Sequence, residues 1–165
     1  MKTKLSLLLL AGLIIGLIVN SCKKSTQTSI QTLFTGGYWQ LASVQVTYFT
    51  GNTQDSIATF NTTCNFVQKF TFNTDNTCTY TYFDCVNQPT ASGHWSLAQN
   101  QLYLNSDIVC KDTTAAGSSK PFADALIQNL GQFSLVLKTG DIQPNYSLTK
   151  KRKIIQYGFI RQTSM

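Results

Sequence analysis

The chain has 165 residues, enough for one domain with a single core, with 12% charged residues, no Glu and a formal charge of +6. Its acids are all aspartates, and Thr, Asn, Gln and Ser supply solvation. Plentiful Thr, Phe and Tyr with few charged helix formers point to an all-β protein. The positive charge does not imply nucleic acid. Lys2 and Lys4 belong to an N-terminal leader, and Lys150 to Lys153 form one short run rather than a basic face interleaved with stacking aromatics. That run is expected to be a solvated turn or strand end near lipid headgroups.

The leader reads MKTKLSLLLLAGLIIGLIVNSC. Lys2 and Lys4 form a positive start, and Leu5 to Val19 is an apolar run shorter than the roughly 20 residues that span a bilayer. Val19-Asn20-Ser21-Cys22 resembles a bacterial lipobox, with Asn20 where Ala or Ser is usual. The resemblance implies cleavage before Cys22, a diacylglyceryl thioether on its sulfur and a further fatty acyl chain (palmitate or similar) on its amine. Two or more such chains anchor a protein stably. An uncleaved anchor, or cleavage without lipid, is the alternative. CKKS is similar to the mature start of lipoproteins from Gram-negative bacteria, and no Asp follows Cys22. The likeness therefore implies the outer membrane, periplasmic face. Residues 22–32 are expected to be a lipidated N-terminus and polar tether, the tether reaching about 35 Å if extended, with the folded domain spanning 33–165.

Tyr38 to Phe49 reads as a strand whose apolar parity switches between Trp39-Leu41 and Val44-Val46, which predicts a bulge midway. Leu41 is the deepest apolar choice beside Trp39. Thr50 to Thr63 reads as a long polar loop. Phe66, Phe70 and Phe72 share one strand face, and Cys78 to Phe83 returns after a turn with Asn76 in the left-handed conformation. The implied register sets Phe72 against Cys78, Phe70 against Tyr80 and Gln68 against Tyr82. Gly93 to Ala98 and Gln101 to Ser106 form a second hairpin, in which Trp95 and Leu97 share a face, as do Leu102 and Leu104. Lys111 to Pro121 reads as a flexible connection. Phe122 to Leu130 is read as a strand, with a helical turn as runner-up. After a turn at Gly131, Phe133, Leu135 and Leu137 share a face. Tyr146 to Thr149 and Lys153 to Arg161 close the chain, and Gly158 marks a bulge. About eight short antiparallel strands in a meander predict an up-and-down β-barrel, whose closure removes sticky edges.

Gly37-Tyr38-Trp39 resembles the Gly-x-Trp opening of lipocalins. KFTFNTDNTCTY, GHWSLAQNQLYL and ALIQNLGQFSLVL are similar, in order and spacing, to pieces of bacterial lipocalin-like lipoprotein domains. Asn76 stands where that family's hairpin carries Gly, and no clear C-terminal helix is present. The chain spells Gly-x-Trp-x-Leu-Ala twice, at Gly37 and at Gly93. Gly permits close backbone approach, and Trp and Leu two apart fill one face, so both phrases are read as core walls.

Beyond Cys22, the cysteines are Cys64, Cys78, Cys85 and Cys110. An oxidising compartment favours disulfides. The hairpin register brings Cys64 within one residue of opposite Cys85, so that bond is expected, while a Cys78–Cys110 bond is left open. With one histidine and no Cys-x-x-Cys, neither a zinc site nor any other metal or cofactor is expected.

His94 has Ser92 and Ser96 on its own strand face but no nucleophile elbow beside it, and the aspartates look like turn residues. No enzyme is expected. The favoured reading is a monomeric, membrane-anchored module holding a small apolar ligand in its barrel. Its lining candidates are Trp39, Phe70, Phe72, Tyr80, Tyr82, Trp95 and Leu104. The alternative is a filled barrel that works through its surface, as an interaction or inhibitor module for an envelope protein.

Overall fold

A computed structural model of the chain describes residues 30–60 and 63–162. The leader, Cys22 and most of the tether lie outside the described residues. Two compact units separate at residue 34. In the first, the described residues 30–34 are helical, where a polar tether was expected up to Thr32.

The second unit is all-β. Its strands are β1 (Tyr38–Thr50), β2 (Thr53–Phe60), β3 (Lys69–Phe72), β4 (Thr77–Thr81), β5 (Ala91–Leu97), β6 (Tyr103–Ser106), β7 (Cys110–Lys111), β8 (Ser118–Ser119), β9 (Ala125–Leu130), β10 (Ser134–Gly140) and β11 (Lys151–Gln162). The ladder runs β11-β10-β9-β6-β5-β4-β3-β1, and β11 pairs back onto β1. This is a closed, eight-stranded antiparallel barrel. β2 is additional and pairs with the far half of β1, from Val44↔Phe60 to Thr50↔Thr53.

The first hairpin has the register read from its aromatic parity, with Phe70 opposite Tyr80 and Phe72 opposite Cys78. Asn76 sits at φ 65° in its turn. The bulge in β1 falls at Ala42, between the pairs Leu41↔Phe159 and Ser43↔Gly158. It rotates the strand by one residue, so Trp39 faces inward before it and Val44 and Val46 face inward after it. β9 is a strand, and β10 buries Leu135 and Leu137.

Several expectations fail. The stretch from Thr50 to Thr63 is mostly β2, because backbone pairing along β1 needs no apolar face of its own. Phe66 lies outside the barrel and stacks on Tyr82 with centroids 4.6 Å apart. Tyr82 does not pair with Gln68, since β4 ends at Thr81 and Tyr82 turns to φ 55°. Leu41 is only half-buried, because the bulge turns the strand there. Leu102 and Phe133 are exposed at turns, 55% and 68%, rather than continuing their strands' inward faces. Residues 111–121 include the small β7–β8 hairpin, and Tyr146 to Thr149 is not a strand. Within the basic run, Lys150, Lys151 and Lys153 are exposed but Arg152 is buried.

The barrel has two unlike ends. Tight turns join β3 to β4, β5 to β6 and β9 to β10 at one end. The other carries the β4–β5, β6–β9 and β10–β11 connections, all longer. Toward the tight end the interior is packed solid by Trp39, Phe70, Phe72, Tyr80, Leu104, Leu135, Leu137 and Phe159, each under 3% exposed. Phe122, from the β6–β9 connection, is drawn into this stack, 4.8 Å from Phe70 and 5.7 Å from Tyr80. Such ring pairs add roughly 0.5–1.5 kcal/mol each beyond their buried area.

The repeated phrase builds two walls of this core. A Cβ on Gly37, which sits at φ 142°, would lie 2.5 Å from the Gln162 carbonyl oxygen across the β1–β11 seam. One on Gly93 would lie 2.8 Å from Ile108 Cα. Each glycine lets a neighbouring backbone approach, and the tryptophan two residues on is buried. Trp39 lies under the Arg161 guanidinium at 4.5 Å, and Trp95 Nε1 donates to the Asn73 carbonyl at 3.0 Å.

Candidate functional site

The packing stops short of the long-loop end. There the inward rows of β1, β10 and β11 continue past the aromatic stack and leave a cavity of about 550 Å³. Its two walls differ. One is sheet: Val44 and Val46 of β1, Phe60 of β2, and Ile155 and Tyr157 of β11, with Phe83 beside them. The other is loop and polar: Asp84 after β4, then Asp112, Thr113, Thr114, Ser119, Lys120 and Asp124 of the β6–β9 connection. Gln68 and Thr139 complete the floor, and Lys153 stands at the side.

The polar wall is held by short local bonds. The Thr113 backbone N–H donates to Asp84 Oδ2 at 2.8 Å, and the Thr113 hydroxyl bonds the same oxygen. Asp112 Oδ1 accepts from the Thr114 hydroxyl at 2.6 Å and its N–H at 3.1 Å. Burial pushes the Asp112 carboxyl up, but hydrogen bonds from Ser119 and Thr114 outweigh it and hold the group below its ordinary value. Burial, and after it the Asp84 charge, raises the Tyr157 phenol well above its usual value, so it enters the cavity as a neutral hydroxyl.

Phe83 and Asp84 are aimed at the cavity by an unusual turn. Tyr82, Asp84 and Cys85 all take left-handed φ values, 55°, 53° and 58°. None is glycine, and each such residue costs roughly 1–2 kcal/mol. The turn is held from below by the Cys64–Cys85 disulfide and from the side by the Asp84 bonds to Thr113. Cys78 and Cys110 are both buried thiols. Cys78 Sγ lies 3.3 Å from Ser106 Oγ, and burial pushes the Cys110 thiol up to about 12.

The residues proposed from sequence as lining sit elsewhere. Trp39, Phe70, Phe72, Tyr80, Trp95 and Leu104 do face inward, but they pack against one another and none borders the cavity. Tyr82 is outside, against Phe66. Alternation along a strand identifies the inward face and says nothing about depth along the barrel axis. Val44, Val46, Gln68 and Tyr157 share the inward parity, and the bulge at Ala42 was the one available signal for the first two. Phe60 and the loop wall had no signal.

His94 is on the outer surface. Its Nδ1 lies 3.2 Å from Asp107 Oδ2, with the two side chains 72% and 58% exposed. It borders a shallow groove with Ser96 and Lys120 and does not itself line the cavity. Among the described residues, no group of three or more His, Cys or Asp side chains is placed to hold a metal ion.

A family model described as a lipocalin-like domain matches residues 36–118. No curated protein matches the chain. The matched residues run from the first Gly-x-Trp through β8, and the barrel is completed by β9, β10 and β11 beyond them.

Proposed function

The chain belongs to the lipocalin-like domain family, and we propose that it holds one small, predominantly apolar molecule in the cavity at the long-loop end of its barrel. The observation that carries this is the pairing of an apolar sheet wall with a polar loop wall around about 550 Å³ of space. That volume falls within the roughly 300–1,000 Å³ typical of ligand pockets. A molecule of that size, seated on Val44, Val46 and Ile155, gains about 25 cal/mol for each Å² of apolar surface it buries. The surface-module alternative requires a barrel filled by its own side chains, and the cavity at the long-loop end favours the ligand reading instead.

The test is native mass spectrometry of residues 23–165 after incubation with a lipid extract, beside the variant Val46→Trp. Val46 is buried and points into the cavity. The tryptophan fills that space, so the wild-type adduct should vanish in the variant. No adduct in either, or equal adducts in both, ends the reading.

The same proposal places the barrel at a membrane. The leader and Cys22 support a lipid-anchored protein of the outer membrane, periplasmic face, of a Gram-negative bacterium. Labelled palmitate fed to cells should enter the full chain and be absent from Cys22→Ala. Label retained in the variant would show that the anchor is elsewhere.

A further inference from the structure

The inward rows of three strands each change character where they reach the cavity. On β3 and the residue before it, the row reads Phe72, Phe70, Gln68. On β10 it reads Leu135, Leu137, Thr139, and on β11 it reads Phe159, Tyr157. Toward the tight-turn end the residues of each row are aromatic or aliphatic and packed. Where it reaches the cavity, each row presents a neutral hydrogen-bonding side chain. Gln68, Thr139 and Tyr157 are 4%, 6% and 6% exposed and border the same cavity. Apolar residues at these positions would have extended the core at no desolvation cost, whereas a buried polar group must find a partner.

The partners inside the protein do not use up what these groups offer. The Tyr157 and Thr139 hydroxyls bond each other. Gln68 is less well satisfied. Its Nε2 donates to Cys64 Sγ at 3.6 Å, and its Oε1 accepts from the Tyr80 hydroxyl at 3.5 Å. Both are long. A primary amide carries two N–H donors and two acceptor lone pairs. Gln68 therefore keeps a donor and an acceptor to present to whatever occupies the floor.

We propose that the bound molecule enters with a neutral donor–acceptor group first, a hydroxyl, amide or carbonyl that Gln68 reads with Tyr157 and Thr139 beside it. This rests on the ligand reading above and narrows it to a class. An anionic head is excluded from the floor. An anion there would lose its hydration against neutral groups, and the Asp84 carboxylate that borders the same cavity would repel it. The cations that border the cavity, Lys120 and Lys153, belong to an exposed loop position and an exposed strand start, so a carboxylate would be held only at the mouth.

The experiment compares decan-1-ol, decane and decanoate as displacers of a fluorescent apolar probe from residues 23–165. It uses the wild type, Gln68→Leu and Tyr157→Phe, each checked for a native β spectrum. The readout is the ratio of alcohol to hydrocarbon affinity, in which the compounds' unequal solubilities cancel between variants. Gln68→Leu should lower that ratio by about tenfold, as sites built to hydrogen-bond one group discriminate by such factors or more. Tyr157→Phe should lower it less, in the same direction. This second variant keeps the test decisive if Gln68→Leu fails to fold. Decanoate should bind wild type more weakly than decan-1-ol. A ratio unchanged in both variants would show that the floor serves ordered water alone and overturns the proposal. Decanoate binding tightest, unaffected by either change, does the same. If none of the three displaces the probe from wild type, the ligand reading itself falls.

Discussion

Arg152 is 9% exposed, and its charge is met by oxygen dipoles and ring faces. Its Nη2 and Nε donate to the Gly51 carbonyl at 2.9 and 3.3 Å, and its Nη1 donates to the Asp141 carbonyl at 3.3 Å. The guanidinium lies 3.4 Å from the Tyr146 ring centroid, and Tyr146 hydroxyl bonds Asn52. One side chain thus ties the β1–β2 turn to the β10–β11 connection at the cavity end. A planar fork can serve two carbonyls and stack at once, and an ammonium cannot. Arg152→Ala should lower unfolding free energy by roughly 2–3 kcal/mol, the scale of charge-assisted bonds lost. Arg152→Lys should recover less than half of it. Urea denaturation measures both, and a lysine variant as stable as wild type would show that charge alone matters there. The run Lys150 to Lys153 is therefore one buried clamp among exposed lysines, and its strand pairing with Phe49 sets which residue is buried.

At the level of elements, the turn Phe83–Cys85 and its N-cap Tyr82 shape the cavity through three left-handed residues that a free chain would not choose. The Cys64–Cys85 bond closes a separation of 21 residues. In the chain-entropy model such a loop contributes about 3 kcal/mol. The double variant Cys64→Ala/Cys85→Ala should lose about that much in chemical denaturation, and probe binding should weaken beyond what the stability loss explains, because Phe83 lines the cavity. Wild-type binding in a folded double variant would mean that the Asp84 bonds to Thr113 hold the turn unaided. The second element of consequence is the bulge at Ala42. Without its rotation, Val44 and Val46 would face solvent and the cavity would lose the β1 part of its sheet wall.

For the barrel as a whole, titratable groups bound the pH range of stability on both sides. On the acid side, Asp75 is held below the usual carboxylate value by the Thr77 hydroxyl and N–H. Asp107 is lowered by the His94 backbone N–H and then its ring, and Asp112 by the bonds already described. A carboxylate depressed in the folded state adds stability above its unfolded value and loses it as pH falls through the folded one. That loss begins below about pH 4 and is shallow, since Asp75 and Asp107 are exposed. On the alkaline side, burial raises the Cys78 and Cys110 thiols and the Tyr80 and Tyr157 phenols. Groups kept neutral by folding stabilise fully below their unfolded values and cease to as pH rises. For Cys110 that runs from 9.0 to about 12. Tm should be level between about pH 4 and 9 and fall more steeply above than below. A Tm that drops steadily from pH 5 to 8 would contradict this account.

The amino-acid order by itself determined the all-β class, the β3–β4 register through Phe70 and Tyr80, the parity switch in β1 and the closeness of Cys64 to Cys85. These follow from a two-residue period and from turn chemistry, both local properties. Only the tertiary structure decided which inward residues are packed and which are left facing space. Trp39, Phe70 and Val46 point to the same interior, yet the first two lie in the solid part and the third in the cavity. Depth along a barrel axis depends on strand length and on where the β6–β9 connection inserts Phe122, and no local pattern encodes these. The polar strand β2 was illegible for a related reason, since its stability comes from backbone bonds to β1, which leave no mark in side-chain periodicity.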